Sequence, residues 1–146
     1  MKKLFFALVC FVSVQVMAFP LIGDDKPIQV SQLPAAAQQL IKKYFASNKV
    51  ALAKMERDLL SKSYDVTFTN GDKLEFDSKG QWTEVKCTTT GVPAAVIPAA
   101  IASYVKENYS DAKVISIEKD DTRYEVKLSN RVELEFNKDF QLVDID

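Results

Sequence analysis

The chain has 146 residues, with 19 basic and 20 acidic side chains, no histidine and a net charge of −1. That length fits one globular domain or two small fused ones. Balanced charge without a basic block argues against nucleic acid as a partner, and the lack of histidine removes the commonest acid–base and metal-binding side chain.

At the N-terminus, Lys2 and Lys3 precede an apolar run from Leu4 to Val16 that is too short to span a bilayer. Val16-Met17-Ala18 then places suitable residues at the −3 and −1 positions of a cleavage site. Residues 1–18 therefore read as a signal peptide cut after Ala18, which implies a periplasmic or secreted protein without a membrane span in its mature part. The rival reading is a lipoprotein cut before Cys10. It is disfavoured by the bulk of Val9 and by the apolar run continuing past the cysteine. Removing Lys2 and Lys3 moves the net charge from −1 to −3.

Residues 19–30 hold Gly23-Asp24-Asp25 and Pro27 and read as an extended segment, ordered near Ile28 and Val30. In the following SQLPAAAQQLIKKYF, Leu33, Ala37, Leu40, Ile41, Tyr44 and Phe45 recur at helical spacing behind Pro34. Lys42 and Lys43 stand at the end that favours positive charge. An alternating run from Val50 to Asp58 predicts a strand, and a polar turn leads into YDVTFTNGDKLEFDSKGQWTEV, Tyr64 to Val85.

Sixty positions on, the chain repeats itself. YEVKLSNRVELEFNKDFQLVDI, Tyr124 to Ile145, matches the Tyr64 stretch at seven of 22 positions, against roughly one expected by chance. A second helix (Ile97-Pro98, then Ile101, Val105 and Tyr109) and a strand from Lys113 to Asp120 precede it. The chain thus divides into repeat 1 (31–87) and repeat 2 (88–146), each a helix followed by four strands. A single repeat is too small to bury a comfortable core. The two are therefore expected to dock as one domain. The predicted class is α+β: tandem α-β4 repeats in two layers, an antiparallel sheet of about eight strands with both helices on one face.

Register decides which side chains share a face. Asn70-Gly71 suggests a two-residue hairpin, but that pairing mixes charged and apolar residues on one side. A three-residue loop, Thr69-Asn70-Gly71 with Gly71 left-handed, sets Val66 opposite Leu74 and Tyr64 opposite Phe76. Arg131 replaces the glycine in the second copy, so it is expected at positive φ.

The same register points Asp65, Thr67, Lys73, Glu75, Glu125, Lys127, Glu133 and Glu135 to the uncovered face, with carboxylate pairs Asp65/Glu75 and Glu125/Glu135. Like charges in direct opposition are mildly destabilising. The plain reading is a solvated face with lysines nearby. The sharper one is an acidic patch meeting a basic protein surface or a hard cation. A glycosidase-type pair needs a shaped cleft that a flat sheet lacks. If Val85 and Ile145 face the helices, Trp82 and Leu142 join the uncovered face with Glu84 and Asp144, and Trp82 would anchor a partner. The alternative is a twist or bulge in the last strand that returns Trp82 to the core. Cys87, the one cysteine left after cleavage, reads as a small buried hydrophobe rather than a reactive thiol.

These segments, with LPAAAQQLIKKYF and VPAAVIPAAIASYVKENY leading the two strand runs, resemble the PepSY-like, β-lactamase-inhibitor-like periplasmic proteins. The resemblance covers nearly all of the mature chain. It departs at Arg131 for glycine and Leu142 for tryptophan. It implies tandem α/β repeats whose sheet docks a protein, while fold alone does not carry function. No phosphate loop, catalytic nucleophile–base pair or metal-spaced Cys/His cluster is present in the sequence, so no catalytic residue, metal site or cofactor is assigned. The expectation is a non-enzymatic, monomeric module that binds a protein or peptide through the open sheet face. The alternative is a binder of a small molecule, glycan or cation of the cell envelope.

Overall fold

The structure, a computed structural model, describes residues 24–146. The signal-peptide reading of 1–18 and the start of the 19–30 segment lie outside the described residues. Among the described residues, nine strands form one antiparallel sheet in simple sequence order: β1 (Lys26–Ile28), β2 (Val50–Arg57), β3 (Lys62–Phe68), β4 (Lys73–Phe76), β5 (Trp82–Lys86), β6 (Val114–Lys119), β7 (Arg123–Leu128), β8 (Glu133–Asn137) and β9 (Leu142–Ile145). Eight of these are the two four-strand meanders expected from the repeat. The ninth is β1, three residues of the extended segment that pair with Ala53, Lys54 and Met55.

Helices α1 (Ala35–Tyr44) and α2 (Ala99–Asn108) precede the two meanders. Both are rich in alanine, and α1 adds the helix formers glutamine, leucine and lysine. Each follows a proline that sits just before the first helical residue, Pro34 at φ −54° and Pro98 at φ −52°. Spacing of four brings Ala37 and Ile41, and then Ile101 and Val105, to one buried stripe per helix.

Period-two alternation supplies the opposing face: Tyr64, Val66, Phe68, Leu74, Phe76 and Val85, then Ile117, Val126, Leu128, Leu134 and Phe136, are all buried. Phe45 stacks on Phe68 with ring centroids 5.3 Å apart, and Tyr104 meets Phe136 edge-on at 5.4 Å. Fully burying each such side chain contributes ~1.5–3 kcal/mol. The β5–β6 pairing, Glu84↔Glu118, Val85↔Ile117 and Lys86↔Ser116, carries the sheet from one unit into the next.

Both hairpins take the longer loop. Tyr64↔Phe76 and Val66↔Leu74 pair, as do Tyr124↔Phe136 and Val126↔Leu134. Gly71 has φ 91° and Arg131 φ 72°, and the Phe68 and Leu128 N–H groups each donate across a three-residue loop to Asp72 and Val132. Asn70 and Asn130 accept from the backbone N–H two residues on, the side-chain turn that makes asparagine suitable there.

Candidate functional site

Among the described residues no helix covers the sheet's second face, and its side chains fall in rows because the register is regular. One row runs Lys54, Asp65, Glu75, Glu84, Glu118, Glu125, Glu135, Asp144, from β2 to β9. Seven carboxylates on seven consecutive strands thus form a ladder, with rungs set by the ~4.8 Å strand spacing. The next row is mixed: Thr67, Lys73, Lys86, Ser116, Lys127 and Glu133.

The mixed row neutralises much of the ladder. Lys73 lies 2.6 Å from Glu75 and 3.7 Å from Asp65, and Lys127 lies 3.1 Å from Glu133 and 3.6 Å from Glu125. Lys54 reaches Glu56 and, at 3.5 Å, Asp65, while Arg123 holds Glu135 at 3.1 Å. Such surface pairs stabilise by only ~0–1 kcal/mol each. Asp65 is nearly buried beneath the two lysines, and burial pushes its carboxyl above the usual range despite them.

The middle of the ladder is different. Glu84 and Glu118 have no basic partner within salt-bridge distance among the described residues. Burial, reinforced by the Glu75 and Glu118 carboxylates, raises the pKa of Glu84. The unneutralised stretch therefore sits where the two units join. At the outer edge, Glu125, Glu133, Glu135, Asp144 and Asp146 ring a recess of about 90 Å³. Even so, no group of three or more among the described residues is gathered closely enough to hold a metal ion.

Eight of the ten residues assigned to this face from sequence are there: Asp65, Thr67, Lys73, Glu75, Glu125, Lys127, Glu133 and Glu135. Trp82 and Leu142 are not. Each last strand carries an extra residue, so that Glu75 pairs with Glu84 but Phe76 pairs with Trp82, and Glu135 with Asp144 but Phe136 with Leu142. These bulges at Thr83 and Val143 return the next side chain to the helix side. Trp82 and Leu142 pack against the core instead. Glu84 and Asp144, expected on this face alongside Trp82 and Leu142, are there without them, whereas Glu118 and Lys86 were not anticipated. Period-two spacing around Ile117 places Glu118 correctly, but only the pairing of β5 with β6 puts it beside Glu84.

Cys87 is buried at the unit junction, its N–H donating to the Ile115 carbonyl at 2.8 Å. Burial and the nearby Asp72 carboxylate raise its pKa to about 12. Asp72 is itself buried, with one oxygen accepting from Asn48 and Asn70.

A family model described as "Putative beta-lactamase-inhibitor-like, PepSY-like" matches residues 62–144. Three solved structures from Bacteroides resemble the chain over 84% of its length. A "putative calcium-regulated periplasmic protein" from Bacteroides thetaiotaomicron is 64% identical, is covered over 97% of its own chain and superposes with a TM-score of 0.82. A "putative periplasmic protein" of the DUF2874 family from Bacteroides vulgatus is 62% identical, with 97% of that chain covered and a TM-score of 0.83. A second protein from that organism, described as a "putative periplasmic protein of unknown function", is 40% identical, with 98% covered and a TM-score of 0.79. None of the curated proteins matches.

Proposed function

The chain belongs to the PepSY-like family, and on that premise we propose that it is a non-enzymatic periplasmic module that docks a basic, extended protein segment on its open sheet face. The observation that carries this reading is the carboxylate ladder, above all Glu84 and Glu118. The ladder's members left unpaired among the described residues, Glu84, Glu118 and Asp144, are all acidic, and a row of such charges is complementary to a lysine- or arginine-rich strand even with Lys86 in the neighbouring row. The periplasmic placement is supported by the descriptions of the Bacteroides relatives. The recess of about 90 Å³ ringed by carboxylates is too small to enclose a substrate away from water, which favours recognition over catalysis.

A fluorescein-labelled peptide of alternating lysine and threonine tests it by anisotropy at 150 mM salt. Glu84→Lys with Glu118→Lys is expected to weaken binding about tenfold or more. Equal affinity for parent and variant, or no binding by the parent, would reject the reading.

A second reading is a divalent cation at the recess ringed by Glu125, Glu133, Glu135, Asp144 and Asp146. It draws support from the relative described as calcium-regulated. It ranks below the first because those carboxylates are not gathered into a ligand set. Calcium would then raise the melting temperature of the parent but not of Glu135→Gln, and a shift common to both would dismiss this reading.

A further inference from the structure

On the helix side, away from the ladder, the structure points to a second site: we propose that the hollow between Trp82, Lys119, Tyr124 and the start of α2 binds a small carboxylate carrying an apolar ring. The hollow measures about 750 Å³ and is walled by these three side chains and by the segment from Ala94 to Ser103, including Pro98 and Ala102. Trp82 reaches it because the bulge at Thr83 turns the indole to this side.

Its charge is unusual for a protein of net charge −1. The Lys119 ammonium lies 4.0 Å from the Trp82 ring centroid, and Lys138 lies 4.8 Å from that of Tyr124. Neither has a carboxylate within salt-bridge distance among the described residues. Lys119 is partly desolvated, and its pKa falls through burial and through Lys138, with the Asp77 carboxylate opposing them. Pro98 offers α2 no side-chain cap, and its first turn holds no acidic residue. A partly dry ammonium beside a bare helix start favours an anion, and two aromatic rings with an alanine floor favour an apolar body attached to it.

The first unit builds the corner around its own tyrosine differently. There Met55 pairs with Tyr64, as Lys119 pairs with Tyr124. Tyr64 is only 5% exposed, whereas Tyr124 is half-buried and lines the hollow. The turn at Gly80 packs so tightly on Pro34 that a Cβ would come within 2.7 Å of it. Its counterpart in the second unit is Phe140, at φ 60°, whose ring lies against Tyr124 at 5.4 Å. Both corners carry a lysine over the tyrosine, Lys62 on Tyr64 and Lys138 on Tyr124, but the second adds Lys119 in place of Met55 and the Phe140 ring in place of Gly80.

Trp82 is the only tryptophan, so its fluorescence reports on the hollow directly. Phenylacetate titrated into the full protein at 150 mM salt is expected to give a saturable change with a Kd on the order of 1 mM or below. Acetate and benzyl alcohol, each carrying half of the chemistry, are expected to bind at least about tenfold more weakly. Lys119→Met, which keeps the apolar stem, and Ala102→Leu, which fills the hollow, should each weaken phenylacetate about tenfold. No saturation by ~10 mM, equal binding of acetate or benzyl alcohol, or an unchanged Kd in Lys119→Met would each overturn the proposal. If Lys119→Met lowers the melting temperature, Ala102→Leu alone decides. The open-face reading predicts nothing for these titrations, so the two fail separately.

Discussion

Glu84 on β5 and Glu118 on β6 stand directly opposite one another at the join of the two units. Glu84 also faces Glu75 on its other side, with Lys73 and Lys86 one row away. Its pKa is raised above the usual 4.5 by burial and by its acidic neighbours. Stability from such a group is fully present below the unfolded value and is lost as pH rises through the shifted one. Glu84→Gln should therefore leave the melting temperature unchanged at pH 4 and raise stability by ~0.5–1 kcal/mol at pH 7. Glu56, whose pKa is lowered by its hydrogen bond to Lys54, loses stability in the opposite direction as pH falls, and Glu84→Gln leaves that loss intact. Equal effects of the substitution at both pH values would show that Glu84 is not electrostatically strained.

Two glycines with left-handed backbone separate strain from crowding. Gly71 has φ 91° and open space around a notional Cβ, whereas Gly80 has φ 83° and would set that atom 2.7 Å from the Pro34 Cβ and 3.0 Å from the Ala37 nitrogen. Gly71→Ala should cost ~1 kcal/mol, the left-handed term alone. Gly80→Ala should cost ~2–4 kcal/mol, because α1 must move away from the sheet. Chemical denaturation of the two variants checks this, and equal costs would show that α1 yields freely.

These turns also mark how far the sequence could be read. The hairpin loop at Asn70 and the positive φ of Arg131 followed from period-two burial on both flanking strands, which leaves one register that keeps Val66 and Leu74 together. The helix stripes and the two carboxylate pairs followed from the same regularity. The bulges at Thr83 and Val143 did not, because an extra residue in a strand leaves no pattern when the side chains beyond it are Trp82 or Leu142, which suit either face. Glu118 beside Glu84 was equally hidden. That neighbourhood depends on β5 meeting β6, a contact between units that neither repeat's own sequence specifies.

Cys87 is 1% exposed, and its thiol pKa is pushed up to about 12 by burial and the Asp72 carboxylate. At pH 8 it is therefore neutral and out of reach, and only the thiolate attacks a disulfide reagent. Labelling by a thiol reagent should proceed at the rate of global opening and accelerate in step with denaturant. Rapid labelling of the native protein would mean that the junction between β5 and β6 opens locally.

Trp82 tests the assignment of the two faces to separate tasks. The indole packs against the core, pairs with Phe76 and carries Lys119 on its ring, all on the helix side. Trp82→Ala should thus cost ~2 kcal/mol in stability from lost apolar burial. The carboxylates at Glu84 and Glu118 lie across the sheet from it, and their placement depends on backbone register rather than on the indole. Affinity for the basic peptide, measured well below the variant's melting temperature, should then stay within about twofold of the parent. A variant as stable as the parent that loses the peptide would put Trp82 in the docking surface and reverse the assignment.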